Sequence, residues 1–336
     1  MSGFSLRAAL VFGGPVLVAL AGCPGEESAE ARAFAACQAY LDAVSARTVR
    51  CGGLAGSNTL RSRLVAECAR SFGAPGALNL EATVTACADS LAMAPCSSEL
   101  PASCRSKGSL EEGARCGADF QCKSGFCRGG TSESCGSCAS VTPVGAPCAS
   151  SEQCGDDARC SYGAEASGQC KAILTAKLGE RCDSSAVRCA DGLLCGKGQA
   201  CVEPAASGAP CERTRDCADG LRCQSGRCAA PLGESMGCRL SEDACGPGLA
   251  CSLDSKCAPI VYVRGGEPCG GARRCESGEC KGEGSGDEGA PPSPGRCVDF
   301  LPDGAECGRA EQASSCQEPA RCVAGRCTQR DLALCK

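Results

Sequence analysis

Apolar and polar positions fall into three regimes along the chain. From Ala8 to Leu20 nearly every residue is apolar, and Arg7 is the one charged side chain before Glu26, the profile of a secretory h-region. Gly13, Gly14 and Pro15 interrupt the run, which is too short to persist as a spanning helix. From Ser28 to Val49 the apolar residues Phe34, Cys37, Leu41 and Val44 recur at steps of three and four, which predicts an amphipathic helix. A second segment, about Asn58 to Phe72, aligns Leu60, Leu64, Cys68 and Phe72 and stops at Gly73, a candidate left-handed C-cap. The third, opened by Asn79 as candidate N-cap, aligns Leu80, Val84, Cys87 and Leu91. Each helix places one cysteine on its expected buried face, while Cys51, Cys96 and Cys104 fall in loops. A short all-α head stapled by three disulfides is expected, in preference to a thiolate metal site, which needs reduced sulfur.

After the head the periodicity changes to a spacing of cysteines. Seven times the chain reads Gly, two residues, Cys, five to eight residues, Cys, four or five residues, Cys, and a variable gap to another Cys. The sets are Cys116, Cys122, Cys127 with Cys135 and Cys138; Cys148, Cys154, Cys160, Cys170; and Cys182, Cys189, Cys195, Cys201. They continue with Cys211, Cys217, Cys223, Cys228; Cys238, Cys245, Cys251, Cys257; Cys269, Cys275, Cys280, Cys297; and Cys307, Cys316, Cys322, Cys327 with Cys335. The fifth departs by placing Met236 and Gly237 before its first cysteine. Glycines such as Gly192, Gly220 and Gly278 lie between the second and third cysteines, and Gly226 and Gly325 precede the fourth, so each module should hold a miniature hairpin. Four cysteines allow three pairings. First with third and second with fourth is favoured because it interlocks two short loops. The module around Leu221 has that leucine as its only large apolar side chain, so disulfides are necessary and each module should lean on its neighbours.

Composition locates the chain. It has 37 cysteines in 336 residues, no histidine, no tryptophan, and ten aromatic side chains, 3 Tyr with 7 Phe. Disulfides at this density belong to an oxidising compartment. Zero histidine removes hydrolases that rely on an imidazole base and most zinc and iron enzyme sites. Beyond Arg7 the balance is 33 basic against 39 acidic residues, with signs interspersed and no basic tract, so nucleic acid is not expected as a partner.

The apolar run ends in Leu20, Ala21, Gly22, Cys23, which resembles the bacterial lipobox. The resemblance implies that Cys23 becomes the lipidated N-terminus, and Pro24 in place of Asp favours the outer membrane. The alternative is that Cys23 joins the disulfide pool. Without it 36 cysteines remain, an even number that can pair completely. More than one acyl chain makes such an anchor stable. The expected organisation is a signal peptide over 1–22, a lipidated cysteine and tether over 23–30, a three-helix domain over 31–110 and seven modules over 111–336. The fold class is small disulfide-rich, an α-helical stapled head followed by a tandem array of loop and β-hairpin modules.

The strings Gly113, Cys116, Cys122, Gly125, Cys127 and Gly208, Cys211, Cys217, Gly220, Cys223, Gly226, Cys228 resemble the Dickkopf N-terminal cysteine-rich region and related extracellular modules. The whole chain resembles the cysteine-rich lipoproteins of large-genome Gram-negative bacteria. The likeness covers about Gly113 to Cys335 and rests on cysteine and glycine, four cysteines per copy against ten in the animal region. It carries a module type, and antagonism of Wnt signalling does not transfer with it.

Chemistry is sparse. Cys135-Gly136-Ser137-Cys138 is the one C-x-x-C in the chain, but no strand and helix flank it and its module needs a fourth cysteine. No C-x-C clusters of the metallothionein kind occur, and the acidic stretch Gly282 to Gly289 lacks the Asp and Asn order of a calcium loop. With Pro291, Pro292 and Pro294 that stretch reads as a flexible insertion. No enzyme, metal or cofactor is expected. The favoured function is a non-catalytic envelope lipoprotein that binds a protein or polysaccharide partner. The alternative is a disulfide-stapled protease inhibitor using the loop Lys281 to Arg296. One cysteine is left over at each end of the array, so Cys135 or Cys138 should find Cys335 and fold the array back on itself. Competing closures are a swap through Cys104 and a disulfide between two chains.

Overall fold

The three apolar stripes become three helices. In a computed structural model that describes residues 28–96, 101–130, 134–162, 168–183, 186–240, 244–282, 293–308 and 316–335, α1 spans Ala29–Arg50, α2 spans Asn58–Ser71 and α3 spans Leu80–Met93. The signal peptide, Cys23 and most of the Lys281 to Arg296 loop lie outside the described residues. Ser28 caps α1 by accepting the Ala31 N–H at 3.1 Å, and Ser57 does the same for the Leu60 N–H of α2, also at 3.1 Å. Arg32 meets Glu81 at the start of α1 and α3, and Arg50 donates to the Ala92 carbonyl at their ends, so these two helices run parallel. Asp42 pairs with Arg61 and Cys37 with Cys68, which sets α2 antiparallel to α1. Cys51–Cys96 and Cys87–Cys104 complete the three staples.

The stripes are narrower than their spacing suggests. Phe34, expected on the buried face, is 48% exposed, while α1 buries Ala33, Ala36 and Cys37. Small side chains and a disulfide with 5.9 Å between Cα atoms bring α1 and α2 close, and the bulky neighbour is left outside. In α2 the fully buried residue is Val65, one position beyond the Leu64 of the expected stripe. Of its four marked residues α3 buries Cys87 and Leu91 and leaves Leu80 and Val84 half-buried, while α1 buries only Cys37 of its own four. Gly73 is not the left-handed C-cap. The backbone continues through tight turns, Gly73 donating to Arg70 and Ala74 to Ser71, and the left-handed residue is Gly76, φ +78°. There the chain passes under the Gln121 carbonyl, 2.7 Å from where a Cβ would stand. Asn79 does sit at the N-cap of α3, but in a left-handed conformation and without a side-chain capping bond.

Beyond the head the chain forms small units around sulfur. Cys116–Cys127 with Cys122–Cys138, Cys148–Cys160 with Cys154–Cys170, and Cys182–Cys195 with Cys189–Cys201 are crossed pairs. So are Cys211–Cys223 with Cys217–Cys228 and Cys238–Cys251 with Cys245–Cys257. Cys269–Cys280 with Cys275–Cys297 and Cys307–Cys322 with Cys316–Cys327 follow the same order. Every unit thus pairs first with third and second with fourth. A hairpin sets the third cysteine opposite the fourth, from Cys127 beside Cys138 to Cys322 beside Cys327.

Backbone bonds close each loop. The N–H three residues before each first cysteine, in Gly113, Gly145, Gly179, Gly208, Ser235, Gly266 and Gly304, donates to the carbonyl of the fourth cysteine at 2.7–2.8 Å. All seven positions have positive φ, and in the irregular fifth unit Ser235 adopts +65° where the others use glycine. The residue six before the first cysteine pairs in parallel with the second cysteine: Leu110 with Cys122, Ala176 with Cys189, Ala205 with Cys217, Leu232 with Cys245, Val263 with Cys275 and Leu301 with Cys316. In the first, third, fifth, sixth and seventh units its side chain packs on the sulfur cluster, joined by Val187 and Leu193 in the third, Leu249 in the fifth and Ala320 in the seventh.

These units wrap the head. Gln121, fully buried, accepts the Gly117 and Ala118 N–H groups at 2.6 and 2.8 Å and donates to the Pro75 carbonyl after α2 at 2.8 Å. Arg105 reaches Asp156 of the second unit, and Asp219 of the fourth accepts the Cys96 N–H. Glu276 of the sixth receives Ser57 and Thr59 from the start of α2. Arg63 holds Asp303 at 2.6 Å and the Glu318 carbonyl at 2.7 Å in the seventh, and Arg70 meets Gln329 of the tail. Cys135–Cys335, with a sequence separation of 200, fastens the tail to the first unit. The C-terminus therefore returns to the head, and the array is closed instead of extended.

Candidate binding cleft

Among the described residues every cysteine sulfur belongs to a disulfide. Trios such as Cys116, Cys122 and Cys127 lie within 4.8 Å of one another, a spacing that suits a metal, but each sulfur belongs to one of the crossed bonds. A disulfide sulfur is not the thiolate that a metal or a nucleophilic reaction requires. The two cysteines of the C-x-x-C are not bonded to each other, since Cys138 pairs with Cys122 and Cys135 with Cys335.

The cleft arises where the array passes the end of α1. The last turn of a helix leaves carbonyls without partners inside the helix. Arg47 and Arg50 turn from α1 onto the end of α3, donating to the Pro95 carbonyl at 3.0 Å and the Ala94 carbonyl at 2.5 Å. At the end of α1 itself the Arg47, Thr48 and Val49 carbonyls accept the Cys51, Gly53 and Gly52 N–H groups, and Arg222 adds bonds from the array to Val49 at 2.8 Å and to Arg50 at 3.2 Å. Arg222 is only 4% exposed, whereas its neighbour Leu221, the one large apolar residue of this unit, is half-buried. A cation at a helix C-terminus also opposes the negative end of the helix dipole, which fits arginine to this position better than leucine.

Around Arg222 the loop between α1 and α2, the fifth unit and the lead-in of the sixth enclose a cavity of about 890 Å³. One wall is the glycine-rich loop from Gly52 to Gly56 with Leu54, and the other runs from Cys238 through Leu249 to Cys251. The floor carries Ile260 and Tyr262, whose hydroxyl donates to the Ala55 carbonyl and ties the sixth unit to the head. Burial pushes the Tyr262 phenol up, and the nearby Arg274 guanidinium pulls it part of the way back. Arg222, Arg239 and Arg274 all line the cavity, and no carboxylate is among its described lining residues. Leu54 and Leu240 stand at 42% and 37% exposure, so apolar surface faces solvent here. The arrangement can hold a ligand; the groups around it are guanidinium, amide, hydroxyl and hydrocarbon.

A smaller space at the other end of α2 joins Glu67, Arg70 and Arg330 to the tail. Burial raises the Glu67 carboxyl above its ordinary value despite the opposing pull of Arg70, Arg321 and Arg330. Burial also lowers the Arg330 guanidinium, with Glu67 and Asp119 acting against it.

No protein-family model matches the chain, and neither a curated protein nor a solved structure matches it. The cleft residues were not legible as a site. Arg222, Arg239 and Arg274 belong to separate units and look like ordinary surface cations in the sequence. The repeated lead-in residue did leave a signal, an aliphatic or small side chain six positions before the first cysteine in six of the seven units, with Thr142 in the remaining one.

Proposed function

We propose that the chain is a non-catalytic, lipid-anchored protein of the cell envelope, with seven tandem copies of one cysteine-rich module wrapped on a helical head as a binding scaffold. One observation carries this reading. The 18 disulfides take up 36 of the 37 cysteines, and the one left over is Cys23, directly after the apolar run that resembles a signal peptide and lipobox. The crossed disulfides, the hairpin and the turn before each first cysteine support a single module type repeated in tandem, as the likeness to the Dickkopf region suggests. Lipid at Cys23 would enter a few residues before Ala29, whereas the cleft lies at the other end of α1, about 33 Å along the helix at 1.5 Å per residue. The array therefore turns its cleft away from the attachment point, a geometry suited to a protein or polysaccharide partner beyond the outer membrane surface.

Phase partition of the mature protein tests the anchor. The parent chain should enter the detergent phase, and Cys23→Ala should remain unprocessed or become soluble. Normal maturation and partition of that variant would overturn the reading. Pull-down from envelope extracts tests the scaffold role, and stoichiometric recovery of a protease would replace it with inhibition.

A further inference from the structure

We propose that the end of the helical head nearest Cys23 is an apolar face that seats on the surface of a lipid bilayer. This rests on the lipid-anchor reading above and adds to it the side chains that meet the membrane. The starts of α1 and α3 lie together at this end, Arg32 being 3.7 Å from Glu81, and α2, antiparallel to α1, finishes there at Ser71. Seven phenylalanines less Phe4 and Phe12 leave five beyond Cys23, and three of them, Phe34, Phe72 and Phe120, stand at this end. Phe34 is exposed in the second turn of α1, where side chains lean toward the helix N-terminus, and Leu78, just before α3, is as exposed as Phe34. Phe72 and Leu80 line one groove beside the start of α3. Phe120 of the first unit and Leu332 of the tail border the last residue of α2, and the exposed Leu334 follows.

Apolar exposure alone does not choose the partner, because Leu54 and Met93 are exposed at the opposite end of the head. The tether chooses it. Cys23 precedes Ser28 by five residues, at most about 18 Å of extended chain, so a lipid on Cys23 confines this end to the headgroup layer, while the far end of α1 lies about 33 Å further along the helix. Attachment makes the contact intramolecular, and a few half-exposed side chains then suffice where they would not hold a free protein. The tether carries Glu26 and Glu27 and no cation, so hydrocarbon, and not attraction to anionic headgroups, holds the face.

The chain has no tryptophan, so a single introduced one reports its own surroundings. Phe34→Trp and Leu78→Trp, with Met93→Trp as the far-end control, are each purified as the mature lipoprotein and reconstituted into phosphatidylcholine vesicles with and without lipid brominated near the headgroup. Emission from the first two should move to shorter wavelength and be quenched by the brominated lipid, since a seated apolar face lies about 5–10 Å into the boundary of headgroups and acyl chains. Met93→Trp, about 20 Å away along α3, should show neither change. Leu78→Ser added to Phe34→Trp should lower the ratio of seated to unseated chain about fivefold, the worth of burying the exposed half of a leucine. If one substitution prevents folding, the other probe reads the same face. Quenching should persist at high salt, and its loss with salt marks electrostatic adsorption and overturns the apolar face. Equal quenching of all three probes overturns the proposal, as does a shift in emission that brominated lipid leaves unquenched, which marks a protein partner. Phase partition of the same samples separates the two readings: chains that enter the detergent phase without quenching keep the anchor and lose the seat, and chains that do not enter it lose both.

Discussion

Removing the tail bridge with Cys135→Ser and Cys335→Ser should loosen the whole wrap without disturbing any unit. The other 17 disulfides span 11 to 45 residues, whereas this one spans 200. In the chain-entropy account a loop of about 100 residues is worth about 4.7 kcal/mol, and doubling it adds about 0.6, so the bridge should contribute about 5 kcal/mol. Crossed pairs inside the loop shorten the covalent path through the unfolded chain, but length enters as a logarithm and the figure barely changes. Each unit keeps its own crossed bonds, so the loss should appear where units meet the head. Noncovalent bonds then hold the seventh unit, Arg63 on Asp303 and the Gln317 and Glu318 carbonyls and Arg70 on Gln329 from α2, with Gln317 on Ser277 of the sixth unit. Native-state hydrogen exchange reads this directly: at about 1.4 kcal/mol per factor of ten, the α2 amides around Val65 should exchange about three to four orders of magnitude faster. Mass spectrometry of the unreduced variant must first show the other bridges unchanged. Protection of α2 within about 1 kcal/mol of the parent would falsify the closure argument, because it would mean that noncovalent docking alone already confines the ends.

Three further outcomes follow from single residues. Ser235→Gly should stabilise the fifth unit by about 1 kcal/mol, and Gly208→Ala should cost the fourth about the same, since both positions need positive φ and a Cβ at Gly208 meets nothing within 4 Å; denaturant midpoints decide it, and equal effects of the same sign refute it. Arg222→Ala should cost about 1–3 kcal/mol by leaving the Arg50 carbonyl unmet and the Val49 carbonyl with the Gly52 N–H alone, seen as faster exchange in the last turn of α1, with no effect expected from Leu221→Ala beyond about 1 kcal/mol. Because burial raises the folded Glu67 above the ordinary 4.5, the folded tail binds that proton more readily than the unfolded chain, so its contribution is fully present below 4.5 and is lost as pH rises through the raised value. Limited proteolysis between pH 4 and 7 should show the tail loosening with rising pH, and Glu67→Gln should flatten that trend; an unchanged slope in the variant assigns it to other groups.

What could be read from the chain alone was what its near neighbours decide. Helix positions follow from apolar steps of three and four, while the repeated spacing left three pairings of each four-cysteine set, of which the crossed one was favoured and is the one the structure holds. Parity pointed to a bridge between the ends of the array but left Cys135 and Cys138 equivalent. The hairpin decides between them by setting Cys138 opposite Cys127, where Cys122 can reach it, so that Cys135 is the one left for the tail. Burial was the least legible property. Phe34 and Leu221 look like core residues and are not, while Gln121 and Arg222 look like surface residues and are buried. Their partners, Pro75 and the end of α1, lie 46 and 172 residues away, and no local pattern records a contact at that separation. Sequence set the local units because short loops and helical periods have few solutions. Only the tertiary structure settled which faces those units turn to one another, and with it the cleft, because their own cores are too small to dictate it.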